Sequence, residues 1–396
     1  MTKWRKTTLG AVVEKVDERQ GRAVVPLVLS VTEKRGIIPQ NQVFTTRVAT
    51  SDTTKYKVLQ PLDIAYNPYL LWSNAIGQWK GVDPGVTSPV YETFRVSGNN
   101  EPRFVGLLLE SGILTSYFDS TAIGSIPRRR RTPVPVFLQA SVWIPPLPEQ
   151  RHIVEVMSAV DAHIEAVEDE WQEVKSLLDA CAESLIEASD GVKAKLGDVL
   201  EIARGGSPRP IDDYFTSDQD GLNWIKIGDV PADGKFITAT AQRIRKDGLS
   251  RSRAVSPGDF LLSNSMSFGR PYILKISGCI HDGWLKLSKV DEHFDAEYLY
   301  FLLRSRSVQA KFESLAAGSG VRNLNIKVVS SVEVVVPPTE QQIDTAQTLT
   351  TIGGVADLVA AELDSLRAFR SSLLTALLSQ TVTIPEAYDA VLEVSA

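Results

Sequence analysis

The chain has 396 residues, 43% of them hydrophobic and 23% charged, which is the composition of a folded protein long enough for two domains with separate cores. No apolar run approaches the roughly 18 residues that cross a bilayer, so a membrane-spanning helix is excluded. The formal net charge of −6 argues at first against a nucleic-acid partner, because a DNA binder has to neutralise phosphates.

That total conceals a segregation. Twelve acidic residues face two basic ones between Glu149 and Asp190, and five face two between Glu340 and Gln380. Residues 1–148 and 191–339 carry +7 and +3, so two mildly basic blocks alternate with acidic ones. The N-terminus lacks the apolar stretch of a secretory signal, and only Cys181 and Cys279 occur, on a helix-like and a strand-like segment. A reducing, cytoplasmic setting is expected.

Along the chain, the first element to recur is a strand-like run closed by prolines that opens a helix. Ile144-Pro-Pro-Leu-Pro-Glu-Gln150 is echoed by Val336-Pro-Pro-Thr-Glu-Gln341. Leu9-Gly10 is echoed by Leu196-Gly197, Pro61-Leu-Asp63 by Pro257-Gly-Asp259, and Leu108-Leu-Glu-Ser111 by Leu302-Leu-Arg-Ser305. Similar offsets across so many pairs mean a tandem duplication with drifted loops. Between the recurring helices the pattern is mixed α and β, with strands at Val134–Phe137, Asp259–Leu262, Lys286–Lys289 and Val332–Val336, and a short helix at Ala296–Arg306.

After each proline pair comes a heptad. Ile153, Met157, Val160, Ile164, Val167, Trp171, Val174, Leu178, Cys181 and Leu185 alternate spacings of four and three. Ile352, Ala356, Val359, Leu363, Leu366, Arg370, Leu373 and Leu377 form the matching seam, which Arg370 interrupts. Two stripes of equal register predict an antiparallel coiled coil within the chain. Gly353-Gly354 marks a point where the second helix is expected to kink or fray, since each glycine costs roughly 1 kcal/mol against alanine.

Taken together these segments resemble the specificity subunits of Type I restriction-modification systems. The carriers are Leu196-Gly-Asp-Val199 followed by Gly205-Gly-Ser-Pro208 and Asn223-Trp-Ile225, then Pro61-Leu-Asp-Ile-Ala-Tyr-Asn67 with Gly85-Val-Thr-Ser-Pro-Val-Tyr91, and both proline-led helix starts. The resemblance implies an α+β fold of two mixed α/β target recognition domains in pseudo-twofold tandem, separated by two long helices packed as an antiparallel coiled coil. Its bounds here are 1–144 and 191–336 for the recognition domains, 145–190 and 337–380 for the spacer helices, and 381–396 for a tail. It further implies a non-catalytic subunit that reads a bipartite double-stranded DNA site and docks two methyltransferase subunits on the paired helices, with restriction subunits joining. On the same basis S-adenosylmethionine belongs to the methyltransferase partner, and ATP and magnesium to a restriction subunit; no cofactor is expected in this chain. A helix of about 38 residues is roughly 57 Å long and would span roughly 17 base pairs as a ruler.

Candidate contacts with DNA lie in the basic blocks. Arg128, Arg129, Arg130 and Arg131 form an arginine run suited to phosphate, with Arg322, Asn323 and Asn325 at the corresponding place in the second half. Arg243, Arg245, Lys246, Arg251 and Arg253 crowd one loop-like stretch with the single acid Asp247. Ser263, Asn264, Ser265 and Arg270 follow a strand, as do Asn67, Tyr69, Trp72, Asn74 and Lys80. Each group also reads as solvated surface or as turn residues. Acidic residues of the first long helix, such as Glu165 and Glu173, either dock a partner or keep it soluble.

Two other functions compete. Asn67-Pro68-Tyr69 resembles the Asn-Pro-Pro-Tyr motif of adenine N6-methyltransferases but lacks the second proline, and the second half has Leu262-Ser-Asn-Ser-Met266 there. No glycine-rich loop follows a strand upstream of it. His152, His163, His281 and His293 have no metal-ligand spacing with either cysteine. The other competitor is a coiled-coil scaffold whose ends bind protein, which predicts no salt-sensitive affinity for duplexes.

Overall fold

The computed structural model describes residues 4–22, 27–33, 35–43, 52–124, 130–230, 234–264, 268–317 and 323–385. The chain divides into two compact units, Met1–Val167 with Glu362–Ala396, and Glu168–Ala361.

In the first unit a four-stranded sheet carries the fold, in the order Val13–Val16, Glu92–Val96, Ile64–Tyr66, Ile76–Gln78. Its alternate residues, among them Phe94, Ile64, Tyr66 and Ile76, meet Phe104 and Leu108 of the helix Pro102–Glu110 and Phe137 in one core. Val134–Gln139, expected as a strand, is a short helix: Pro133 and Pro135 suit a helix's first turn, and Phe137 is its buried anchor. Strand Arg5–Thr8 pairs antiparallel with Ser141–Ile144, directly before the first long helix, Leu147–Glu187.

The second unit repeats this plan with larger sheets. Val192–Lys195 pairs with Glu333–Val336 just before the second long helix, Thr339–Leu378. Glu201–Arg204, Trp284–Ser288, Phe260–Ser263, Pro271–Leu274 and Phe236–Ile237 form one five-stranded sheet. Phe215–Thr216, Gln242–Ile244, Leu222–Ile225, Gly278–Ile280 and Arg253–Val255 form the other.

The recurring motifs have a shared structural meaning. Gln60–Asp63 and Ser256–Asp259 are both turns closed by a backbone hydrogen bond from the aspartate N–H, with Leu62 at φ 68° and Gly258 at φ 91° in the third position. In each turn the aspartate carboxylate also accepts from the first residue's N–H, at 2.9 and 2.7 Å. Gln150 and Gln342, both buried in the first turn of a long helix, take part in a second shared device. Gln150 accepts from the Glu101 N–H (2.7 Å) and donates to the Pro145 carbonyl (2.9 Å). Gln342 does the same with Asp295 (2.8 Å) and Pro337 (2.8 Å). Each ties the start of a long helix to the N-cap residue of the shorter helix of its unit.

Every residue of both predicted seams is at least partly buried. In the first unit Ile153 and Met157 share a core with Leu377; in the second Leu178, Cys181 and Leu185 pack with Leu349. The start of one helix thus meets the end of the other, which is the antiparallel arrangement. A further apolar column, Val154, Ala182, Ile186, Ala346, Leu374 and Leu378, widens the stripe where the helices meet the globular cores. Arg370 does not break the seam: its guanidinium is paired with Asp161, Nη2 to Oδ2 at 2.9 Å. This carboxylate holds the Arg370 pKa above its usual value against the opposing effect of burial. Nor does the helix break at Gly353-Gly354, which lie inside one continuous 40-residue helix.

Candidate nucleic-acid interface

In the first unit the segment after strand Ile64–Tyr66 folds on itself. The Asn67 side chain accepts from the Tyr69 N–H (3.1 Å), the Trp72 indole donates to the Tyr69 carbonyl (2.7 Å), and the Thr132 N–H donates to the Pro68 carbonyl (2.8 Å). That last bond brings the end of the arginine run over the turn. The Arg130 guanidinium lies 5.3 Å from the Trp72 ring centre, and that of Arg131 5.9 Å from the ring of Tyr69, which is exposed. Asp119 anchors Arg130 at 2.6 Å. Arg128 and Arg129 lie outside the described residues.

Two predicted members of this group have other work. Asn74 caps a 3₁₀ turn in the left-handed conformation, and its amide donates to the Glu110 carbonyl at 3.3 Å. Lys80 lies beyond the far end of the hairpin, paired with Glu110 at 2.8 Å, because the register sets Tyr66 against Ile76 but Ile64 against Gln78.

The basic stretch of the second unit is not one loop. Gln242–Ile244 is the second strand of its sheet, Lys246–Arg251 is a 3₁₀ turn, and Arg253–Val255 is the edge strand on the opposite side. Three inter-strand steps of about 4.8 Å therefore lie between Arg243 and Arg253. Arg243 donates to the Gln219 carbonyl and borders an open depression of about 800 Å³ with Phe215, Thr216 and Thr240. Arg245 stacks on Tyr214 (5.3 Å) and pairs with Asp247 (3.0 Å), while Lys246 pairs with Asp220 (2.9 Å).

Arg251 and Arg253 instead join residues that the sequence did not single out. Arg253 Nε donates to the Arg204 carbonyl (2.6 Å), and Arg204 Nε donates to the Asp282 carbonyl (3.1 Å). Arg209, with a side chain 75% exposed, reaches the Asp282 carboxylate at 3.7 Å. Gly205 and Gly206 make this convergence possible: a Cβ on Gly205 would lie 2.1 Å from the His281 carbonyl oxygen, and one on Gly206 2.7 Å from that of Arg251. The Ser207 hydroxyl donates to Asp282 at 2.7 Å and, as the main cause, holds that carboxyl below the usual aspartate range.

Ser263 and Asn264 were expected at a polar surface and are buried. Ser263 exchanges bonds with the Arg270 backbone, and Asn264 donates to the Asp282 carbonyl at 2.8 Å. The strand continues through Ser263, and both side chains bond within the scaffold. Arg270 is exposed beside them. Ser265 and Arg322 lie outside the described residues. Asn325 caps the helix Ile326–Ser330 by accepting from the Val328 N–H at 3.0 Å. The Asn323 side-chain amide oxygen, Oδ1, is buried with no hydrogen-bond partner among the described residues.

Among the described residues no group of three or more His, Cys, Asp or Glu side chains could hold a metal ion, and no helix is long and apolar enough to cross a membrane.

A tandem α+β fold with two long helices and exposed arginines on its sheets is shared with known proteins. Residues 189–368 match the family of Type I restriction modification DNA specificity domains. The chain is 20% identical over 303 residues to the specificity subunit of the Type I restriction enzyme MjaVIII of Methanocaldococcus jannaschii, covering 71% of this chain and 70% of that one. Its fold matches, with a TM-score of 0.63 and 17% identity over 95% of this chain and 97% of the other, a chain from a study of complex assembly and conformational transition of the type I R-M system. A looser likeness, TM-score 0.49 and 13% identity over 95% and 96% of the two chains, is to the S subunit of a Type-I restriction-modification system from M. genitalium. The family model, the curated relative and the fold neighbour thus all point to proteins of Type I restriction-modification systems as what this chain is similar to.

Proposed function

We propose that this chain selects the DNA site on which a Type I modification complex acts, reading two half-sites with residues 1–144 and 191–336. The observation that carries this is the duplication itself. Two units share terminal strand pairs, glutamine anchors and aspartate turns, yet differ in every surface proposed to meet DNA. Equal scaffolds with unequal contact surfaces suit a two-part site whose halves differ in sequence.

In the first reader the contact set is Tyr69, Trp72, Arg130 and Arg131, with Arg128 and Arg129 beside them in the chain. In the second it includes Arg243, Arg245, Lys246, Arg251, Arg253 and Arg270. The spacers 145–190 and 337–380 are the proposed docking surface for two methyltransferase subunits, with restriction subunits joining the assembly, and 381–396 is a tail. The chain itself does no chemistry in this reading; S-adenosylmethionine binds the partner, and ATP and magnesium serve a restriction subunit. Titration of the purified full chain with S-adenosylmethionine should show no binding, while its affinity for duplex DNA falls steeply with salt. Tight S-adenosylmethionine binding by the chain alone, or duplex affinity indifferent to salt, contradicts the reading.

A further inference from the structure

We propose that Arg204, Arg209, Arg251 and Arg253 form one phosphate-binding cluster that grips the backbone of duplex DNA, a site resting on the DNA-reading role proposed above. The four come from the ends of two edge strands, Glu201–Arg204 and Arg253–Val255, and from the turns following and preceding them. All four are exposed. They are held together by the Arg253–Arg204 bond, the Arg204 bond to the Asp282 carbonyl and the close packing of Gly206 on Arg251.

Several basic side chains elsewhere among the described residues are matched by carboxylates. Arg95 pairs with Asp63, Arg130 with Asp119, Arg245 with Asp247 and Lys246 with Asp220. In the first unit Lys57 opens the strand that pairs with Gly85–Thr87, as Arg253 opens the strand that pairs with Gly278–Ile280. Lys57 is buried between Asp17 and Glu92, at 3.6 and 3.5 Å. In the cluster, by contrast, the ion pair found among the described residues is that of Arg209 with Asp282, and Ser207 already occupies one oxygen of that carboxylate. Guanidinium groups carried on neighbouring backbone positions with so little carboxylate among them favour an anion that joins them. Guanidinium forks on a rigid frame suit phosphate oxygens, which are spaced regularly along a duplex.

Bonds to phosphate carry no sequence information, so the cluster sets affinity and leaves the choice of bases to other residues. The test is the binding of the full chain to a fluorescein-labelled duplex several helical turns long, over a salt series, for the natural protein and two variants. One carries Arg204→Gln, Arg209→Gln, Arg251→Gln and Arg253→Gln. The other carries only Arg209→Gln and Arg251→Gln, whose side chains are not bonded to the backbone of the cluster. The slope of log affinity against log salt should fall by about 0.9 for each phosphate that is no longer neutralised, about 3.6 and about 1.8 for the two variants. A salt-dependent natural protein with both variants at the same slope overturns the cluster and leaves the DNA-reading role standing. A natural protein that shows no salt-dependent binding overturns both.

Discussion

His281 sits behind the arginine cluster with both ring nitrogens facing backbone N–H groups, of Ile227 at 3.2 Å and Gly283 at 2.9 Å. Burial, the largest effect, and Lys226 push its pKa below the usual 6.5, against the opposing pull of Asp282 and Asp229. The unfolded chain therefore binds a proton more readily than the folded one. The stability contribution is complete above the unfolded value and is lost as pH falls below it toward the folded value. Thermal unfolding of His281→Gln should accordingly lose less stability between neutral and mildly acid pH than the natural protein; equal losses would contradict this. Gln342→Leu should cost about 2–4 kcal/mol by leaving the Asp295 N–H and the Pro337 carbonyl unpaired in the interior, measurable by denaturant unfolding. Neither role is legible in the sequence. The proline motifs align Gln150 with Gln341, yet the partners lie 49 and 47 residues upstream, and helix phase selects Gln342. Arg204 and Arg209 escaped for the same reason: separated from Arg253 in the chain, they join it only through the meeting of two sheet edges.

The long helices were the most legible elements, because a heptad is a local pattern and both partners carry it. The reading of Arg370 as an interruption failed because the complementary charge, Asp161, is on the other helix. Gly353-Gly354 misled for a different reason. Propensity disfavours them, but the packing of Ala346, Leu349, Ala356 and Val359 holds the helix through that point. Gly354→Ala should therefore raise stability by about 1 kcal/mol, since a Cβ there meets nothing within 4 Å. An unchanged or lower unfolding midpoint would mean that the helix gains from the glycine. Strands were harder to place. Residues 243–253 look like a single basic loop because short strands leave little periodicity, and Val134–Phe137 alternates like a strand while its prolines set a helical turn.

At the scale of the whole molecule, duplication was visible as offsets between short motifs, and the structure explains why those motifs persist: they build the turns and junctions common to both units. The divergence of the surface loops suits the proposal that each unit reads its own half-site. Net charge makes residues 1–148 the more basic block, and its excess of +7 already counts the acids that pair with Lys57 and Arg95. The two-reader account is tested most directly by mapping methylated bases across the genome of cells that carry this gene and of cells that lack it. The account predicts that one two-part sequence, with unlike halves separated by a spacer of fixed length, is methylated only when the gene is present. Identical methylation in both cells, or methylation confined to a single uninterrupted motif, would contradict it.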